Sequence, residues 1–233
     1  MPIIIYEVMK MKNISKNLTW KIMVLGLVLA VAVTNLCSFI RDGRRLDQLR
    51  NNVLRLHILA ESDSPRDQRL KLAVRDAVLA RSDEIFGNAG CFDSAVDTVS
   101  ENLTLIEKTA EEVLAENGCY APVSAEITNM YFDSRTYGDI TMPEGDYTAL
   151  RISIGSAQGH NWWCVMYPPL CIPAACESEI TDDKETEDRY FDNSQQDIIM
   201  NPEKYRVRFA LWDKIMSIAN KDVVQNDKKL AYA

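Results

Sequence analysis

Gly159-His160-Asn161-Trp162-Trp163-Cys164-Val165-Met166-Tyr167-Pro168-Pro169-Leu170-Cys171 places two adjacent tryptophans, two prolines and two cysteines in one short segment. Successive strand residues point to opposite faces, so Trp162, Cys164 and Met166 would line one side, and Trp163, Val165 and Tyr167 the other. Both sides are apolar. Such a strand is covered on both faces within its own domain, or it offers one face to something else. Either way the segment calls for a layered fold, and the segments upstream of it supply the layers.

Val53 to Ala60 carries Leu54, Leu56, Ile58 and Ala60 on one side and Val53, Arg55, His57 and Leu59 on the other, which predicts a strand with one fully apolar face. Glu61-Ser62-Asp63-Ser64-Pro65 then marks a turn and a helix start. Ser64 suits the N-cap, Pro65 the first helical position, and Asp67 the positive end of the helix dipole. The helix is expected to run from Pro65 to about Arg81 and to bury Leu70, Val74, Ala77 and Val78. A second helix is predicted from Phe92 or Asp93 to Glu116, with Val96, Val99, Leu103, Ile106, Ala110 and Val113 at alternating spacings of three and four. Asn117-Gly118 ends it. If it is straight, its roughly 24 residues at about 1.5 Å each hold Cys91 and Cys119 about 36 Å apart. Disulfide-bonded alpha carbons sit only about 4.4 to 6.8 Å apart, so those two could pair only across a broken helix.

Val123 to Met130 alternates as a strand with one more polar face, and Tyr147 to Ile154 as another, with Leu150, Ile152 and Ile154 facing one way. Asp133 to Asp139, with Gly138, and then Pro143-Glu144-Gly145-Asp146 read as loop and turn. Gly155 to Gly159 is short enough for a hairpin into Trp162–Tyr167. The order strand, helix, helix, strand, strand, strand predicts one α+β domain over 53–171, with its helices on one face of a largely antiparallel sheet.

Ahead of this domain, Lys10, Lys12, Lys16 and Lys21 precede an apolar run from Ile22 to about Ile40. Roughly 19 residues at about 1.5 Å each nearly span a bilayer core of about 30 Å, and the lysines resist translocation. Residues 1–40 therefore read as an export signal or membrane anchor, with the remainder outside. Ala30-Val31-Ala32 fits a cleavage site; the continuation to Ile40 fits an uncleaved anchor. Downstream, acidic residues from Glu177 onward predict a flexible linker over 177–200. Tyr205, Phe209, Trp212 and Ala219 predict an amphipathic C-terminal helix over 203–219.

The net charge of −8 disfavours binding nucleic acid through phosphate contacts. His57 and His160 are the two histidines, and neither sits in a nucleophile motif. His160 with Cys164, Cys171 and Cys176 lacks the paired Cys-x-x-Cys of a zinc ribbon, so no metal or other cofactor is expected. Cys164 and Cys171 instead suggest a disulfide clamping the Tyr167-Pro168-Pro169-Leu170 corner, worth about 2.5 kcal/mol by chain-entropy arithmetic. Such a bridge would hold an apolar corner ready for docking. Tyr167-Pro168 is a candidate cis bond, against a base rate of about 5% for X-Pro bonds. Candidate partner-binding residues are Trp162, Trp163, Tyr167, Pro168 and Pro169. The two tryptophans serve equally well as core filling.

Several of these segments together resemble the stage II sporulation protein R family of endospore-forming bacteria. The likeness lies in Leu54-Arg55-Leu56-His57-Ile58-Leu59-Ala60-Glu61-Ser62-Asp63-Ser64, in Asp67-Gln68-Arg69-Leu70-Lys71, and in Val74-Arg75-Asp76-Ala77-Val78. It continues at Pro143-Glu144-Gly145-Asp146-Tyr147 and at Asn161–Cys171. The resemblance implies an intercellular signalling protein, exported from the forespore into the space between forespore and mother cell. Its implied partner there is a membrane-embedded aspartic protease that processes the precursor of the mother-cell sigma factor. It implies no catalytic residues, no small-molecule substrate and no nucleic acid. The alternatives are an exported envelope-acting hydrolase using His57, Asp63 and His160, and a membrane-anchored scaffold.

Overall fold

The computed structural model describes residues 2–86, 91–137, 139–168 and 191–231, with side chains between 18 and 218. The elements run α1 (Pro2–Asn51), β1 (Leu54–Leu59), α2 (Pro65–Ala80), α3 (Ser82–Phe86), α4 (Phe92–Glu101), α5 (Leu103–Glu116), β2 (Val123–Phe132), β3 (Arg135–Tyr137), β4 (Ile140–Met142), β5 (Gly145–Ile154), β6 (Asn161–Tyr167), α6 (Asn193–Met200) and α7 (Pro202–Ala231). They form two compact units, Met1–Arg44 with Val207–Ala233, and Arg45–Arg206.

In the Arg45–Arg206 unit a four-stranded sheet has the order β2-β5-β1-β6. β1 is parallel to β5 and antiparallel to β6, and β2 is antiparallel to β5. The expected α+β fold with a largely antiparallel sheet is present, but the hairpin between β5 and β6 is not. β1 lies between those two strands. Its residues Leu54 to Ile58 are all buried, and a strand buried on both faces needs its backbone groups bonded along both edges. The link from β5 to β6 therefore steps across the end of β1. Gly159 N donates to Ala60 O at 2.9 Å, Gln158 N to Glu61 O at 3.2 Å, and Ser156 Oγ to Glu61 O at 3.0 Å.

Helices α2, α4 and α5 cover one face of the sheet. The core there contains Leu56, Ile58, Val74, Val78, Val99, Ile106, Ala110, Leu114, Leu150, Ile152 and Cys164. Ser64 caps α2 by accepting from Asp67 N at 3.1 Å, with Pro65 in the first turn. Alongside the expected Leu70, Val74 and Val78, α2 also buries Lys71, Arg75 and Leu79, while Ala77 is only half-buried. The second predicted helix is interrupted at Asn102, which separates α4 from α5. Asn102 Nδ2 bonds Thr98 O at 3.0 Å, the competition for backbone groups that unseats asparagine from helix interiors. The break does not join Cys91 to Cys119, for both are free. Gly118, at φ 67°, ends α5.

The opposite face carries its own layer. The segment 133–139, expected as loop, contains β3, which forms a hairpin with β4 paired Arg135 to Met142 and Tyr137 to Ile140. Its short strands alternate too few times to be read as strands. α6 packs against β4. That helix replaces the end of the acidic linker expected over 177–200, because Asp192 and Gln195 form a reciprocal capping box that starts a helix at once. The rest of that linker, at 177–190, lies outside the described residues, as do Pro169, Leu170, Cys171 and Cys176. The C-terminal helix starts at Pro202 as expected and continues well past 219, to Ala231.

Gly159 is the tightest point of the crossing. A Cβ built there would fall 2.3 Å from Ser62 O and 2.5 Å from Ser62 C, which are backbone atoms that cannot swing away. Gly159→Ala is expected to destabilise the domain by about 1–3 kcal/mol, the usual penalty of overpacking, measured as a lower urea midpoint.

Candidate functional site

Four strands each place one residue in a row across the face opposite the helices. Glu126 of β2 is opposite Arg151 of β5, Arg151 opposite His57 of β1, and His57 opposite Trp163 of β6. Arg151 and Glu126 form an ion pair at 3.5 Å near the surface. The His57 ring stacks on Trp163 with centroids 4.3 Å apart, and Phe132 stands edge-on to Trp163 at 4.6 Å. Trp163 is half-buried, its Nε1 donating to Asn161 Oδ1 at 2.7 Å and the Arg135 guanidinium lying 6.0 Å from its ring centre.

His57 is buried, and neither ring nitrogen has a hydrogen-bond partner among the described residues. Burial, helped by the positive charge of Arg151, pushes its pKa down to about 4. It is therefore a neutral ring at pH 7. Beneath it Arg55 is fully buried, its Nε donating to Cys164 O at 3.1 Å and its Nη2 to Tyr137 Oη at 2.9 Å. The guanidinium carbon lies 4.4 Å from the Phe132 ring centre and 5.1 Å from that of Tyr147. Aromatic faces thus stand where a carboxylate would be expected. Burial lowers the Arg55 pKa and pushes the Tyr147 hydroxyl up to about 12. Tyr147 Oη donates to Pro143 O at 2.6 Å.

Trp162 faces the helices. Arg75 of α2 lies over its ring at 4.3 Å and is held by Asp76 at 2.6 Å. Lys71, one turn earlier, donates to His160 O at 2.9 Å and to Gln68 Oε1 at 2.6 Å. These two buried cations fix the start of β6 to α2. The exposed His160 pairs with Asp63 through its ring Nδ1, and its backbone N donates to the same carboxylate at 2.5 Å. Hydrogen bonding by His160 holds the Asp63 carboxyl below its usual range. His57 packs against Phe132 and Trp163 in the aromatic row whereas Asp63 and His160 pair with each other, so His57, Asp63 and His160 do not form one constellation among the described residues.

Alternation places Trp162 and Trp163 on opposite faces as expected, but not Tyr167. A register shift between Leu54 and Arg55 makes Tyr167 the partner of Leu54 and turns it into the helix-side core. Pro168 is buried, and the Tyr167–Pro168 bond is cis. Cys164 is disulfide-bonded, and its partner lies outside the described residues. The residues that the sequence reading leaves without a role are Arg55, Phe132, Tyr137 and Tyr147. A cation in the middle of an otherwise apolar strand was the available signal for Arg55.

The fold and this surface define a class: an α+β domain with an aromatic row on its sheet, in a chain whose N-terminal helix fits a signal sequence or membrane anchor. A family model described as stage II sporulation protein R matches residues 50–177, over half of the chain, and the chain belongs to that family. It is 31% identical over 157 residues to stage II sporulation protein R of Bacillus subtilis (strain 168), covering 66% of this chain and 70% of that one. No solved structure matches the chain. The family places the chain in sporulation.

The depressed pKa of His57 makes an acid-sensitivity prediction. Its folded-state value, about 4, lies below its unfolded value of 6.5, so between these pH values the unfolded chain binds the extra proton. The stabilising contribution is complete above the unfolded pKa and is lost as pH falls through the folded one. His57→Phe is expected to flatten the fall in stability over that window, read from urea midpoints measured at successive pH values.

Proposed function

We propose that this chain is the exported sporulation signal of its family. It is made in the forespore and delivered across the forespore membrane. In the intermembrane space it activates a membrane-embedded aspartic protease that processes the precursor of the mother-cell sigma factor. Family membership carries the reading. Two physical features support it. α1 holds an apolar run suited to export or anchoring, and β6 displays a half-buried tryptophan on a sheet braced from both sides.

Within the proposed partner surface the roles divide. Trp163 makes the contact, because its ring lies on the face away from the helices and is held by the His57 stack and Phe132. Trp162, Tyr167 and Pro168 set the shape of β6 from the buried side, and Pro169 continues the same corner in sequence. A rigid aromatic side chain loses little entropy on binding, which is why such residues dominate interface energetics.

The purified domain without its export segment is expected to activate the protease when supplied from outside. Inactivity, under conditions where full-length protein works, would count against the reading. Trp163→Ala is expected to reduce activation at least about 10-fold in protein shown by circular dichroism to be folded at the assay temperature, whereas Trp162→Ala should act chiefly through lost stability. A hydrolase reading draws on the Asp63–His160 pair. Alanine at Asp63 or His160 should leave signalling intact in folded protein, and loss of signalling there would favour the hydrolase; His57 does not discriminate, because it also holds Trp163.

A further inference from the structure

The unit formed by Met1–Arg44 and Val207–Ala233 contains a helix crossing of defined chemistry. α7 meets α1 over Ser38–Gly43. The Trp212 ring stands edge-on to Phe39 with centroids 5.8 Å apart, and a Cβ built on Gly43 would fall 2.1 Å from the Trp212 ring. Glycine is what lets the indole lie on the α1 backbone. Arg208 donates to Ser38 Oγ at 3.2 Å and pairs with the buried Asp42.

These contacts occupy one side of α7. Val207, Leu211, Ile215 and Ile218 occupy another and remain 73%, 51%, 50% and 55% exposed. At about 100° per residue these four fall within about 80° of arc, with Phe209 and Trp212 centred about 130° away. Exposed Lys214 flanks the stripe.

The position of the crossing supplies the occupant. The apolar run of α1 begins after Lys21 and ends at Ile40, before Arg41. It is long enough to cross a bilayer, so Ser38–Gly43 falls where the helix leaves hydrocarbon for headgroups. Tryptophan is enriched at that depth, and a helix with an apolar stripe beside lysines is suited to lie there. Exposed Arg41 and Arg44 add positive charge at the same level, which favours anionic lipid.

We propose that α7 is a membrane-surface helix whose Val207–Ile218 stripe is buried in the interfacial layer of an anionic bilayer, beside the point where α1 emerges. The inference does not depend on the protease reading. It does rest on α1 remaining in the bilayer, because cleavage at Ala30-Val31-Ala32 would remove most of the apolar run that sets Ser38–Gly43 at headgroup depth.

The test uses the full-length chain in vesicles of phosphatidylglycerol and phosphatidylethanolamine, with a solvatochromic fluorescent residue in place of Ile215 or, separately, of Ser217 on a different face. Blue-shifted emission, quenched by lipids with brominated acyl chains, is expected at 215 and not at 217. Water-like, unquenched emission at 215 overturns the proposal. So does a blue shift that vanishes when vesicles hold a single chain each, since the occupant is then a second copy. Hydrogen exchange over 207–218 checks that the label leaves the helix formed; where it does not, the label moves to Leu211 and the same criteria apply.

Discussion

Central placement of β1 is the constraint from which the remaining architecture follows. A short strand buried on both faces can satisfy its backbone only between two neighbours. The chain supplies them from the two strands that flank the Gly155–His160 link, one parallel and one antiparallel. Once β1 separates β5 from β6, the link has to pass over its end, and the passage is narrow enough to require glycine at 159. The same passage brings His160 to Asp63 and Lys71, so the start of β6 is fixed by its route across the sheet as well as by its pairing.

The two faces of the sheet use different chemistry. Aliphatic side chains from three helices fill one. The other is built around a buried guanidinium surrounded by rings, with hydrogen bonds to Cys164 O and Tyr137 Oη. Removing one partner from such an arrangement strands a charge in a poorly solvating place, so the layer is costly to alter piecemeal. It also braces Phe132 behind Trp163. The half-buried Trp163 ring therefore stands on the more polar of the two layers.

Much of this was legible in the sequence where periodicity was strong. The extent of α2, its Ser64 cap, the opposite orientation of Trp162 and Trp163, and the α+β class follow from spacing and capping chemistry. What escaped depended on partners distant in sequence. Nothing local says that β1 will insert between β5 and β6, or that a bulge will turn Tyr167 toward the helices. The β3–β4 strands are too short to show alternation, and Asn102 breaks a helix whose apolar pattern continues through it. In the candidate surface, Trp163 was visible by composition, but its setting of His57, Phe132 and Arg55 arises only from the pairing of strands drawn from across the domain.

The row Glu126–Arg151–His57–Trp163 has one member on each of four strands. Sliding any strand by one residue would turn its member to the other face and break the series. The row thus works as a vernier for the sheet, coming into line only when all three strand pairings are in step. Trp163 takes up its half-open position last in that sense, as the end mark of a scale that the rest of the fold must first bring into alignment.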